Sequence, residues 1–293
     1  MPISQEEYAA IRDAKAGLLR LLAIEETFDL VIENYLEFEA ALLQAALSSL
    51  ARRDPPGQRS SEERALFDRR LLNLLAAVKS YVDQVPKHVV GVRPQAAAIV
   101  NATLDDERQT RLGLRAMLAL RNVVQHHDSL VHLVAYGSKL PGGVLGAGVA
   151  FTVDPYVLPE DLGTDPGMHK HDKLVLDELR ALGPKVELKP LVRECVEGLW
   201  AVHSVTRSEV GSSNQELETV LRAAETRYLT LCPEQETALA LAAIKREPGE
   251  DPSEEVQIVW GFTGYRKYLE TKNSALEGIA RRYVTSEAAN AKP

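Results

Sequence analysis

Arg121, Asn122, Gln125, His126 and His127 stand close together in the run ALRNVVQHHDSLVH, residues 119–132, between stretches of Leu, Val and Ala. A histidine can pass a proton near neutral pH, because its unperturbed pKa lies closer to 7 than that of any other common side chain. An arginine offers a permanent charge and a planar fork of donors for anionic oxygens. An asparagine amide can orient either group. At about 100° per residue, Asn122 and His126 fall one turn apart on one helix face, while Arg121 lies about 140° from His126. One helix therefore does not close Arg121 and His126 on a small ligand. Two copies facing each other would, which points to a site shared across a homodimer.

Such a helix must be held by neighbours, and the chain supplies them. Ile24, Phe28, Val31, Tyr35, Phe38 and Leu42 recur at steps of four and three, the seam of an amphipathic helix. RRDPPGQRSS (52–61) breaks it. Phe67, Leu71, Leu74, Val78 and Val82 mark a second helix, which the stretch 86–94 should end. A third should start in NATLDDERQ, capped by Thr103 or Asp105, run through the motif and finish before the loop GSKLPGG (137–143). Residues 1–140 thus read as an antiparallel helical bundle.

Residues 141–293 read as a helical C-terminal region with a small β-sheet. Val149, Phe151 and Val153 alternate with Ala150, Thr152 and Asp154, giving a strand near 148–158. Val256, Ile258, Trp260 and Phe262 give another near 255–262, and the two are candidates to pair. Helices are expected at roughly 170–182, 188–210, 214–230 and 233–246, with 245–255 a solvated connector. The fold class is mainly α.

The motif Arg121-Asn122-Val123-Val124-Gln125-His126 resembles the R-x4-6-H signature of the HEPN superfamily, and RN-x-x-QH resembles the version in a group of bacterial HEPN-like proteins. The order of long helices fits over about the first half of the chain. In some toxins of the superfamily a tyrosine lies two positions after the histidine; here Asp128 stands there, so nothing is carried over for it. The resemblance implies a helical, commonly dimeric fold. It also implies a function. The first to expect is metal-independent RNA cleavage by attack of the RNA 2′-hydroxyl, in a toxin or defence setting. The second, as its alternative, is a non-catalytic binding or scaffold module. In the first, His126 is general base or acid, Arg121 clamps phosphate, Asn122 orients, and Gln125 and His127 support them from behind. In the second, the motif is a polar network, with Arg121 paired to a carboxylate such as Glu33 or Glu37. Arg108, Arg111 and Arg115 form a stripe leading to the motif, which either tracks an RNA backbone or is an ordinary salt-bridged face. RNA, a second copy of the chain and an antitoxin or other protein are the partners to expect.

The remaining signals narrow the field. A net charge of −8 argues against a generally basic nucleic-acid binder, though not against a local basic site. HKH (169–171), with Asp165 and Asp172, has loop spacing and is expected to be solvated, so no metal is expected. PGGVLGAGVAF lacks the lysine of a phosphate-binding loop, so no cofactor is expected either. Cys195 and Cys232 lack metal-binding or redox spacing and read as reduced thiols. No apolar run is long enough to span a membrane, and the first residues are polar and acidic, so a cytoplasmic protein is expected.

Overall fold

The computed structural model describes residues 2–51, 58–124, 129–139, 149–162, 169–232, 234, 241–245 and 253–284. Among the described residues the fold is mainly helical, with two small antiparallel sheets. The chain divides into two compact units, each drawing on several separate segments. Unit 1 comprises residues 1–29, 82–103 and 203–275; unit 2 comprises 30–81, 104–202 and 276–293.

Helix α1 (Gln5–Ala51) supplies residues to both. It starts with a reciprocal cap. The Glu7 N–H donates to Ser4 Oγ at 3.1 Å, and the Ser4 N–H donates to Glu7 Oε2 at 2.8 Å. Its expected stripe from Ile24 to Leu42 is buried. On another face, Leu36, Leu43, Leu47 and Leu50 are exposed.

Helix α2 (Gln58–Val92) ends within the stretch 86–94, as the sequence suggested, but runs through Pro86 first. A proline removes one backbone hydrogen bond, at a cost of about 3 kcal/mol. Val85 and Val89 are fully buried on either side of it, and each buried valine returns about 1.5–3 kcal/mol. In unit 1 the Arg20 guanidinium then donates to the Gly91 carbonyl at 3.2 Å, satisfying a group that the helix end leaves open.

The expected third helix is two, α3 (Ala96–Thr110) and α4 (Leu112–Val124). Thr103 is not a cap: its hydroxyl bonds back to the Ile99 carbonyl at 2.9 Å in mid-helix. The break at Arg111 has a cause in unit 2. The Gly113 N–H donates to Glu194 Oε2 at 2.6 Å, and Gly113 sits against the Leu191 carbonyl. A side chain there would collide, so glycine is what lets the start of α4 approach that closely.

Strands β1 (Leu133–Lys139), β2 (Ala150–Val157) and β3 (Val186–Glu187) form an antiparallel sheet in that order, with Leu133 opposite Tyr156. The helix expected to run through 132 ends at Val124, residues 129–132 are not helical, and β1 occupies 133–139, where the sequence suggested the end of that helix and the start of a loop. Helix α5 (Lys170–Leu182) follows as expected. Helix α6 (Leu188–Leu231) is continuous through GSSNQ, where a break was expected. Val210, Ser213 and Leu221 keep one face buried through that stretch. Arg193 on α6 forks onto Glu39 of α1, at 2.6 and 2.8 Å, within unit 2.

β4 (Ala242–Lys245) and β5 (Glu254–Gln257) pair with each other, and α7 (Gly261–Lys272) takes up Phe262. The two strands expected to pair, near 148–158 and 255–262, therefore belong to different sheets. Each found a partner nearer in sequence, where loop closure costs less. Residues 242–245, expected to end a helix, are strand; 233 and 235–240 lie outside the described residues.

Candidate functional site

The motif begins on the last turn of α4. Leu114, Ala116, Met117, Ala119, Leu120 and Val123 bury one face, and this leaves Arg121 and Asn122 half-buried at its edge. The Asn122 amide donates to Asp172 Oδ2 at 3.1 Å, and Asp172, in the first turn of α5, is only 5% exposed. The position suits that carboxylate, because the first turn of a helix lies at its positive dipole end. The Arg121 Nη1 donates in turn to Asn122 Oδ1 at 3.4 Å. Arginine, amide and carboxylate form a short relay from α4 to α5, all within unit 2. Glu37, one of the carboxylates considered for Arg121, is taken by Arg70. Gln125, His126 and His127, with Asp128, lie outside the described residues.

Just past them the chain is pinned again. Asp68 Oδ1 on α2 accepts the N–H groups of Leu130 and Val131, at 2.7 and 2.9 Å, and both side chains are fully buried. His132 Nδ1 accepts the Leu158 N–H at 3.1 Å, so the ring carries its proton on Nε2 when neutral.

Every arginine of the stripe has a carboxylate. Arg108 meets Asp105 at 3.3 Å. Arg111 bridges Glu107 on α3 and Glu197 on α6, the latter at 2.9 Å. Burial works against its charge, but the two glutamates outweigh that and hold its proton more tightly than usual. Arg115 contacts Glu178 of α5 at 2.5 and 3.0 Å, and also bonds the Gln109 carbonyl at 3.1 Å. The stripe and the Arg121–Asn122 pair thus have separate partners among the described residues.

A second polar cluster, in unit 1, carried no motif. Glu25 of α1 is 3% exposed and accepts from Arg207 of α6 at 2.6 and 3.0 Å. His203 Nε2 lies 3.2 Å from Glu25 Oε2 and is fully buried, with its ring stacked on Phe28 at 3.9 Å. Arg207 continues to the Asn273 carbonyl at 3.5 Å, and the Asn273 amide donates to Asp29 at 2.8 Å. Burial pushes the Glu25 carboxyl up, but the bonds from His203 and Arg207 prevail and bring it down to about 2. An ionised carboxylate only accepts, so His203 carries its proton on Nε2. With His203 and Glu25 sealed from solvent, this cluster ties helices together and has no room for a substrate. The signal for it was one acidic residue beside Ile24 on an otherwise apolar stripe.

His169 and His171 are exposed, and Asp172 is committed to Asn122. Asp165 lies outside the described residues. Among the described residues no group of three His, Cys, Asp or Glu side chains could hold a metal ion, and no helix is long and apolar enough to cross a membrane. Cys195 is free and buried, which pushes its thiol pKa up and keeps it unreactive; Cys232 is also free.

No family model, curated protein or solved structure matches the chain.

Proposed function

We propose that this chain is a non-catalytic, HEPN-like helical binding or scaffold protein, in which the motif is part of a structural polar network. The bond from Asn122 to the buried Asp172 carries the reading. It spends the orienting amide on fold, and it sets a carboxylate beside the position where phosphate would have to be clamped. Like charge so close disfavours an anionic substrate. The stripe supports the same reading, since Arg108, Arg111 and Arg115 are each offset by a carboxylate. In this role the protein works in the cytoplasm, as a homodimer or with another protein.

One observation favours the second reading, a metal-independent endoribonuclease with a dimer-shared site. Arg121 has no carboxylate partner among the described residues; its guanidinium meets Asn122 Oδ1 alone. The same set of variants tests both. Incubated with RNA in excess EDTA, the wild-type protein should leave it intact. Asn122→Ala should cost about 2 kcal/mol in urea denaturation, because it strips a donor from a buried carboxylate. Cleavage to a 2′,3′-cyclic phosphate that is lost in His126→Ala and Arg121→Ala, with stability unchanged, would overturn the scaffold reading.

A further inference from the structure

A surface cavity of about 340 Å³ lies along α2 in unit 2, with Arg64 and Arg69 on its wall. Both are exposed, and neither has a carboxylate within ion-pair distance among the described residues. That sets them apart from Arg70, Arg111, Arg115 and Arg193 of the same unit, which are all paired. In a chain of net charge −8, with 42 acidic residues against 34 basic ones, two guanidinium groups with no ion-pair partner among the described residues, beside one hollow, are a local reversal of sign.

The rest of the lining is consistent with an anion. Asn73 contributes an exposed amide. Ser129 contributes a hydroxyl, whose contact to the Val131 carbonyl is a long 3.4 Å and is easily exchanged. Asp68 is the one acid on the wall, and its Oδ1 is already engaged by the Leu130 and Val131 N–H groups. Two arginines against one such aspartate leave the lining positive. Ala65 and Leu72 add an apolar strip. The volume falls at the small end of the roughly 300–1,000 Å³ usual for ligand pockets, which suits a compact molecule.

The geometry points to a binding site for a small phosphomonoester. Arg69 holds the phosphate as a charge-assisted donor, Asn73, one turn along the same face, and Ser129 complete its hydrogen bonds, Arg64 adds positive charge from the other side of the hollow, and the organic body lies against Ala65 and Leu72. Two guanidinium groups match a dianion better than the single charge of a carboxylate. The site is on α2 and uses neither Arg121 nor His126, so it stands or falls apart from the scaffold reading.

Isothermal titration of the full chain tests it, with phenyl phosphate, inorganic phosphate, benzoate and phenol compared at constant ionic strength. Phenyl phosphate should bind tightest, inorganic phosphate and benzoate more weakly, and phenol not at all. Arg69→Ala should weaken phenyl phosphate at least tenfold and Arg64→Ala several-fold, neither changing the melting temperature, since both side chains are exposed and have no ion-pair partner among the described residues. Arg69→Lys should lose several-fold by keeping the charge without the fork. Equal affinity for benzoate and phenyl phosphate would overturn the preference for phosphate, and equal affinity for inorganic phosphate would overturn the role of the apolar strip. No binding of either phosphate at millimolar concentration, or binding that the alanine variants leave unaltered, would overturn the site.

Discussion

Glu25 shows how one buried carboxylate can set the acid limit of the fold. Folded, its pKa is about 2 against an ordinary 4.5. His203 is also shifted down from 6.5, because burial outweighs the pull of Glu25. Both groups bind protons less readily folded than unfolded. Each therefore contributes stability that is full above its unfolded pKa and is lost as pH falls. The His203 contribution fades below about 6.5, and that of Glu25 between 4.5 and about 2. The Glu25 shift corresponds to about 3 kcal/mol. Urea denaturation between pH 7 and pH 3 should show a steady fall. Glu25→Gln should cost about 3 kcal/mol at pH 7, by leaving Arg207 without its carboxylate, and should flatten the curve below pH 4.5. An unchanged acid limb in that variant would assign the loss to other groups.

Among the elements, the start of α4 is the tightest fit. A Cβ on Gly113 would collide with the Leu191 carbonyl oxygen and lie 2.7 Å from Glu194 Cβ. Gly113→Ala should destabilise by about 1–3 kcal/mol, even though alanine is the better helix former by about 1 kcal/mol. A gain in urea midpoint would show that the approach is looser than described. The same contact explains why α3 and α4 read as one helix. Periodicity reports which face is apolar, and nothing in Arg111-Leu112-Gly113 reports a glutamate 81 residues away.

The stripe of α1 and the start of α5 were legible because each is a local pattern. β1 was not, since Gly137 and Ser138 favour turns and only the pairing with β2 holds them extended. The candidate site divides in the same way. Residue types singled out Arg121 and Asn122, but Asp172 and Glu178, which engage Asn122 and Arg115, come from α5, and one of the two glutamates on Arg111 comes from α6. Glu25 and His203 are 178 residues apart.

At the scale of the whole molecule, neither unit is a continuous stretch of chain. Unit 1 needs residues up to 275, and unit 2 needs the α6 segment that ends at 202 along with residues from 276 on. A fragment of residues 1–140 lacks partners for both. It should keep helical circular dichroism, yet melt without a cooperative transition; a sharp transition would mean that the first helices hold a core unaided. The interleaving also bears on synthesis. At about 5–20 residues per second, the ribosome takes on the order of ten seconds or more to go from Glu25 and Phe28 of α1 to His203 and Arg207 of α6, which contact them. Over that interval Phe28 is made but lacks the His203 ring on which it stacks. The nascent chain is then a client for whatever in the cell shields exposed apolar surface, and its yield should follow the supply of that protection more closely than the stability of the finished fold.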